Sequence, residues 1–149
     1  SIGLESILMF LLIFVWTPPH FWTLAIFMKQ DYTAAKVPML TVTHGMLTTR
    51  KHILVYTLLL TILSLVIAFS SIGGPLYFFV CMLLNGWFLM GALKIFKRDE
   101  VASKADNFDV EKKLFIFSIF YLFAHFVVIA IESFLDFYTV SYFAWPQLF

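Results

Sequence analysis

Four long apolar runs separated by short polar stretches organise this chain. Ser6 to Met28 is the first, long enough to span a bilayer even though two adjacent prolines interrupt it. Lys29 to His52 follows as a polar stretch whose Pro, Gly and Thr content predicts loop with at most short helical turns. From Ile53 to Leu93 there is no charged residue, roughly twice the length of one span. Ser70-Ser71-Ile72-Gly73-Gly74-Pro75 in its middle is a turn signal, so two helices joined by a tight hairpin are expected there. A charged connector precedes the last run, and an acidic, aromatic tail from Glu132 to Phe149 closes the chain. The expected fold class is all-α, a polytopic membrane protein. Its transmembrane helices fall at about 6–28, 53–69, 75–93 and 114–131, with loops at 29–52 and 94–113, in one partial domain over 1–149.

Composition agrees. With 62% hydrophobic and only 13% charged residues the chain cannot cover itself with a water-soluble surface, so the lipid bilayer is its first expected partner. A net charge of +1 says little about partners, and nothing resembles a basic face built for nucleic acid, so no nucleic-acid partner is expected. The lone Cys81 excludes an intrachain disulfide framework. The chain begins at Ser1 without methionine, and no basic segment precedes its apolar opening, so it reads as a fragment and not as a signal peptide. All ten Lys and Arg residues fall in the two connectors. The positive-inside rule then sets both connectors on the cytoplasmic or matrix side, with the 70–75 turn opposite. A count of four helices fits that arrangement.

The polar residues inside the first span carry the chemistry. Pro18 and Pro19 have no N–H to give the carbonyls of Phe14 and Val15, so a kink or break is expected. His20 beside it is either a functional group facing a cavity or a histidine bonded to a freed carbonyl. Helical spacing brings Thr17, His20 and Phe27 near one face, with Asp31 almost in line three turns beyond His20. One groove from mid-membrane to the mouth is expected, with aromatic walls from Trp16 and Phe27 and a rim of Lys29, Asp31 and Lys36. Such a groove suits a ligand with a lipid tail and a diphosphate head, because lysines pair with phosphate oxygens and a carboxylate can hold a bridging Mg²⁺. The plainer alternative is that these basic residues only anchor a helix end at the lipid headgroups. His125 reads as a packing residue, and no role is assigned to His44 or His52.

The string W-T-P-P-H-F-W-T-L-A-I at 16–26 leads into K-Q-D-Y at 29–32, A-x-x-V-P-M-L at 34–40, G-x-x-x-T-R-K at 45–51 and I-L-V-Y-T-L-L-L at 53–60. Together they resemble the heme-farnesylating branch of the UbiA-type intramembrane prenyltransferases. Weaker similarity continues through G-G-P-L-Y at 73–77 and L-F-x-F-S-I-x-Y-L-F at 114–123. The resemblance implies a nine-helix bundle of which this chain supplies the last four helices. It also implies a reaction in which farnesyl passes from farnesyl diphosphate to a vinyl group of protoheme IX. Heme O and diphosphate are the products, Mg²⁺ is the cofactor, and the product feeds heme A and cytochrome oxidase formation. His20, Lys29 and Asp31 are then the catalytic candidates, with Asp31 also facing the metal. Trp16, Trp22, Phe27, Tyr32 and Lys36 are candidate substrate contacts, and the rings of Trp16, Phe21, Trp22 and Phe27 are candidates to stabilise an allylic cation. Implied partners are the missing N-terminal half, which carries the family's other acidic motif, and heme A synthase. The implied setting is a bacterial inner or mitochondrial inner membrane, with the site loops on the cytoplasmic or matrix side.

Two positions depart from the family pattern: Gln30 stands where relatives often have a carboxylate, and Thr41 where they often have proline. A b-type heme electron carrier ligated by His20 and His125 is the alternative function, and a plain structural or transport bundle is a third.

Overall fold

The computed structural model describes residues 3–139 and 148, with side chains through residue 135 and at 148. Its helices in chain order are α1 (Leu4–Phe27), α2 (Lys29–Ala34), α3 (Leu40–Thr43), α4 (Met46–Ala68), α5 (Pro75–Lys97), α6 (Glu100–Ala105) and α7 (Asp109–Thr139). No strand occurs among the described residues. Four helices, α1, α4, α5 and α7, are long and apolar enough to cross a membrane. They close a ring in which α1 packs on α4, α4 on α5, α5 on α7, and α7 back on α1.

The helices outrun the apolar windows that mark them. α4 begins at Met46 and takes in the polar 46–52 stretch expected as loop, and α7 runs from Asp109 through Thr139 where a tail was expected from Glu132. Hydropathy marks only the part of a helix that lies in lipid, whereas Thr, Arg, Lys and Glu carry backbone hydrogen bonding into the interface. Both connectors hold short helices as well, α2 and α3 in the first and α6 in the second. The expected tail beyond residue 139 lies outside the described residues, apart from Leu148.

α1 does not break at its prolines. Two rungs of its ladder are lost because Pro18 and Pro19 lack N–H, but α4 and α7 hold the helix on two sides. Nearby hydroxyls bond back to the helix carbonyls: Thr17 donates to Ile13 O (2.7 Å) and Thr23 to Pro19 O (2.6 Å).

Polar groups turn inward and apolar ones outward, as the bilayer requires. Thr57, Ser64, Asn85, Ser118 and His125 are buried in the ring, whereas Phe10, Ile62, Leu83, Ile116 and Phe123 are exposed. The buried stripes keep helical spacing, with Ile53, Leu60 and Ile67 on α4 and Tyr77, Cys81, Leu84, Phe88, Ala92 and Ile95 on α5. Between them lies a polar seam: Tyr121 donates to Asn85 Oδ1 (2.6 Å), and Tyr77 Oη is hydrogen-bonded to His125 Nδ1 (2.9 Å).

At the α4–α5 turn two glycines are required by close approach. A Cβ on Gly73 would strike the Ile67 carbonyl oxygen and reach within 2.6 Å of the Ala68 carbonyl oxygen, while one on Gly74 would strike the Glu132 carboxylate. Glu132, fully buried on α7, accepts from the Tyr77 N–H (3.1 Å) and so caps the first turn of α5. Backbone cannot rotate aside as a flexible side chain would. Gly73→Ala should therefore cost at least ~2 kcal/mol of bundle stability. The loss would show as a lowered midpoint of thermal unfolding in detergent, and an unchanged midpoint would mean that the turn is looser than drawn.

Candidate functional site

The two basic connectors meet at one end of the ring, and a cavity of about 780 Å³ opens between them. Phe27 at the end of α1 and Lys29 and Asp31 on α2 form one wall. Glu100 and Lys104 on α6, with Asn107, Phe108 and Lys112, form the other. Three lysines against two carboxylates leave the lining with a net charge of +1. Lys104 is committed to Glu100 (3.4 Å), whereas Lys29 and Lys112 enter no ion pair among the described residues. Free cations over an apolar floor of Ile26, Phe27 and Met46 favour an anionic head on a hydrophobic body.

A buried ion network fixes the second wall. Arg50, 2% exposed, extends from α4 and donates to the Ile95 carbonyl (2.8 Å) and to Ser103 Oγ (2.9 Å), and it pairs with Glu111 (3.4 Å). Ser103 donates in turn to Glu111 Oε1 (2.7 Å), and Arg98 Nε lies 3.6 Å from the same oxygen. Four elements are thereby tied at one point. At the surface Arg98 also grips Asp106 (2.6 Å), which holds that carboxyl below the usual carboxylate range and raises the Arg98 guanidinium. The chain then leaves α6 through two consecutive left-handed residues, Asn107 (φ 55°) and Phe108 (φ 58°). Left-handed backbone at a phenylalanine is strained, and here it turns two cavity-lining residues inward.

The residues expected at the site divide into three groups. Phe27, Lys29 and Asp31 line the cavity. His20 and Trp16 stand one ring behind it: His20 is stacked between Trp16 (centroids 4.4 Å apart) and Phe115 (4.7 Å), and Phe115 meets Phe27 edge-on (5.7 Å). His20 Nδ1 is hydrogen-bonded to Ser118 Oγ (2.6 Å), and Trp16 Nε1 donates to Ser118 O (2.8 Å), so both lock α1 to α7. Trp22 turns away to α4, against His52 (5.4 Å) and Tyr56 (4.9 Å). Tyr32 is half-buried on α2, and Lys36 is exposed just past it in a left-handed conformation (φ 57°). Neither is among the residues lining the cavity. Between His20 and the cavity-lining Phe27 lies the ring of Phe115.

A heme ligated between His20 and His125 does not fit this packing. Ser118, which holds His20, precedes His125 by two turns of α7, about 10 Å along the axis. His125 is committed within the bundle, its Nδ1 hydrogen-bonded to Tyr77 Oη (2.9 Å) and its ring packed on Tyr121 at 4.3 Å. Mg²⁺ meets a partial donor set. Asp31 and Glu100 share the cavity, yet no group of three His, Cys, Asp or Glu that could hold a metal occurs among the described residues. One or two carboxylates suit Mg²⁺ only when substrate phosphates and water complete its octahedron.

Sequence reasoning missed Lys104, Asn107 and Lys112, and the Arg50–Glu111 pair behind them. The one available signal was that Arg50 and Glu111 stand at the ends of long apolar runs.

Comparison with known proteins bears on this site. Residues 2–120 match the model of the UbiA prenyltransferase family. The chain is 56% identical over 133 residues to the protoheme IX farnesyltransferase of Cereibacter sphaeroides, covering 89% of this chain and 43% of that one. It is 56% identical over 133 residues to the protein of the same name from Roseobacter denitrificans, covering 89% and 42%. For that of Ruegeria pomeroyi the values are 56% over 135 residues, 91% and 42%. The chain thus spans less than half the length of these relatives. No solved structure matches it.

Proposed function

Because the chain belongs to the UbiA prenyltransferase family, we propose that it forms the C-terminal part of an intramembrane enzyme that transfers farnesyl from farnesyl diphosphate to a vinyl group of protoheme IX. The observation that carries this reading is the cavity at the meeting of the two basic connectors, where uncommitted lysines face Asp31 above an apolar floor. Lys29 and Lys112 bind the diphosphate and neutralise it as the farnesyl C1–O bond breaks and the electron pair leaves with oxygen. Asp31, with Glu100 on the facing wall, would hold a Mg²⁺ ion bound with the diphosphate, and the ion would supply further charge neutralisation for the leaving group. Phe27 excludes water from the allylic cation and offers it a π-face.

The new C–C bond joins farnesyl C1 to the terminal vinyl carbon, and water adds to the cation left on the inner vinyl carbon, releasing a proton and leaving the hydroxyl of heme O. His20 is clamped through Nδ1 and both ring faces, so its Nε2 edge is the part left to meet heme or that proton. Both connectors, and with them the cavity, lie on the cytoplasmic or matrix side of the membrane.

The test is reconstitution. Residues 1–149 alone should form no heme O, because the family's other acidic motif, implied to share the diphosphate and its metal, lies in the N-terminal half. Co-expression with the N-terminal half of a relative should give heme O, followed by chromatography of extracted hemes. His20→Ala in the complete enzyme should slow transfer while leaving farnesyl diphosphate binding nearly intact. Heme O made by residues 1–149 unaided would overturn the division of the site between halves.

A further inference from the structure

On the outer surface of the ring, away from the cavity, two hollows lie between side chains of α5 and α7. The upper, about 280 Å³, lies at the basic end and includes Gly91, Lys94, Asp109 and Lys113 in its lining. The lower, about 340 Å³, is walled by Leu83, Leu84 and Phe120. Trp87 and Phe117 line both, so the two form one groove. From Lys94 to Leu83 it runs eleven residues of α5, about 16 Å. Gly91 lets Leu114 of α7 pack directly against α5 beside the upper hollow, since a Cβ there would come within 2.7 Å of Leu114 Cδ1.

The groove opens on the outer face of these four helices. Leu83, Trp87 and Phe120 are each more than half exposed, on the side turned from the bundle interior. Its mouth is charged in a specific way. Lys113 is held by Asp109 (2.7 Å), while Lys94 forms no ion pair among the described residues, so two ammonium groups and one carboxylate leave the mouth at +1. That balance matches a single phosphodiester. A zwitterionic headgroup brings a second cation for which the mouth has only one carboxylate, already engaged.

We propose that the α5–α7 groove binds one anionic glycerophospholipid, with its phosphodiester on Lys94 and Lys113 and an acyl chain along Trp87, Phe117 and Leu83. Basic residues that merely anchor helix ends require no hollow, and here the hollow and the charge coincide. Bound lipid would tie α7 to α5 at the end of the ring where α6 is held, without entering the transfer site.

The experiment uses the full-length enzyme in nanodiscs of phosphatidylcholine mixed with phosphatidylglycerol, with lipid retained after detergent release read by native mass spectrometry. One phosphatidylglycerol should be retained in preference to phosphatidylcholine, and Lys94→Gln with Lys113→Gln should cut that preference on the order of tenfold. Lys51→Gln with Lys97→Gln, exposed lysines outside the groove, should leave it unchanged. Trp87→p-benzoylphenylalanine should cross-link to lipid on illumination. Equal retention of the two lipids, an equal effect of both lysine pairs, or cross-linking to protein from the other half or a second copy would each overturn the proposal.

Discussion

Alanine at both Lys29 and Lys112 should lower heme O formation by the complete enzyme at least ~100-fold, about 2.7 kcal/mol of transition-state stabilisation. These are the two cavity lysines without a carboxylate partner among the described residues, and they come from opposite walls. A departing diphosphate gains charge as the C–O bond breaks, so cations aimed at it act more strongly in the transition state than in the bound substrate. The loss should therefore appear mainly in kcat, with a smaller change in KM. Lys36→Ala supplies the contrast, because Lys36 is exposed and stands outside the lining. A loss as large from Lys36→Ala would locate the diphosphate on the loop after α2 and not in the cavity.

Glu111→Ala should cost about 3–5 kcal/mol of stability, because it strands the buried Arg50 guanidinium and leaves Ser103 without its acceptor. The expected readout is early thermal unfolding in detergent, with α6 exchanging its amide hydrogens faster than the spans do. Asp109→Ala, which breaks only the exposed pair to Lys113, should change stability by less than ~1 kcal/mol. The double change Arg50→Met with Glu111→Leu separates burial of charge from loss of packing. It should recover most of the stability, since apolar groups of similar volume need no partner. Should the double variant be as unstable as Glu111→Ala, the network would matter for shape and not for charge.

The spans, the 70–75 turn and the polarity of the two ends were legible in the sequence because lipid imposes length and charge rules that act locally. Lys29 and Asp31 were legible because they follow one helix without interruption. Trp22 was misjudged for a reason the sequence did contain: two residues beyond His20 is about 200° around a helix, so it faces α4 when His20 faces α7. The second wall was not legible. Lys104 and Lys112 reach the cavity only through the fold of α6, and α6 is held by the Arg50–Glu111 contact across 61 positions. Hydrophobic periodicity carries no information about which charged residue of one connector meets which of another. The continuity of α1 through its prolines likewise comes from packing against α4 and α7, not from local preference.

The carboxylate of Glu132 on the first turn of α5 sets an order of events during synthesis. Its partner, the Tyr77 N–H, precedes it by 55 residues. At a translation rate of roughly 5–20 residues per second, the α4–α5 hairpin exists for several seconds before its cap is made. During that interval the Tyr77 N–H lacks its carboxylate acceptor, and water at the membrane surface is its alternative partner. Arrival of the last helix then completes the cap of α5, and a chain stalled before residue 132 should leave the first turn of α5 more open to protease.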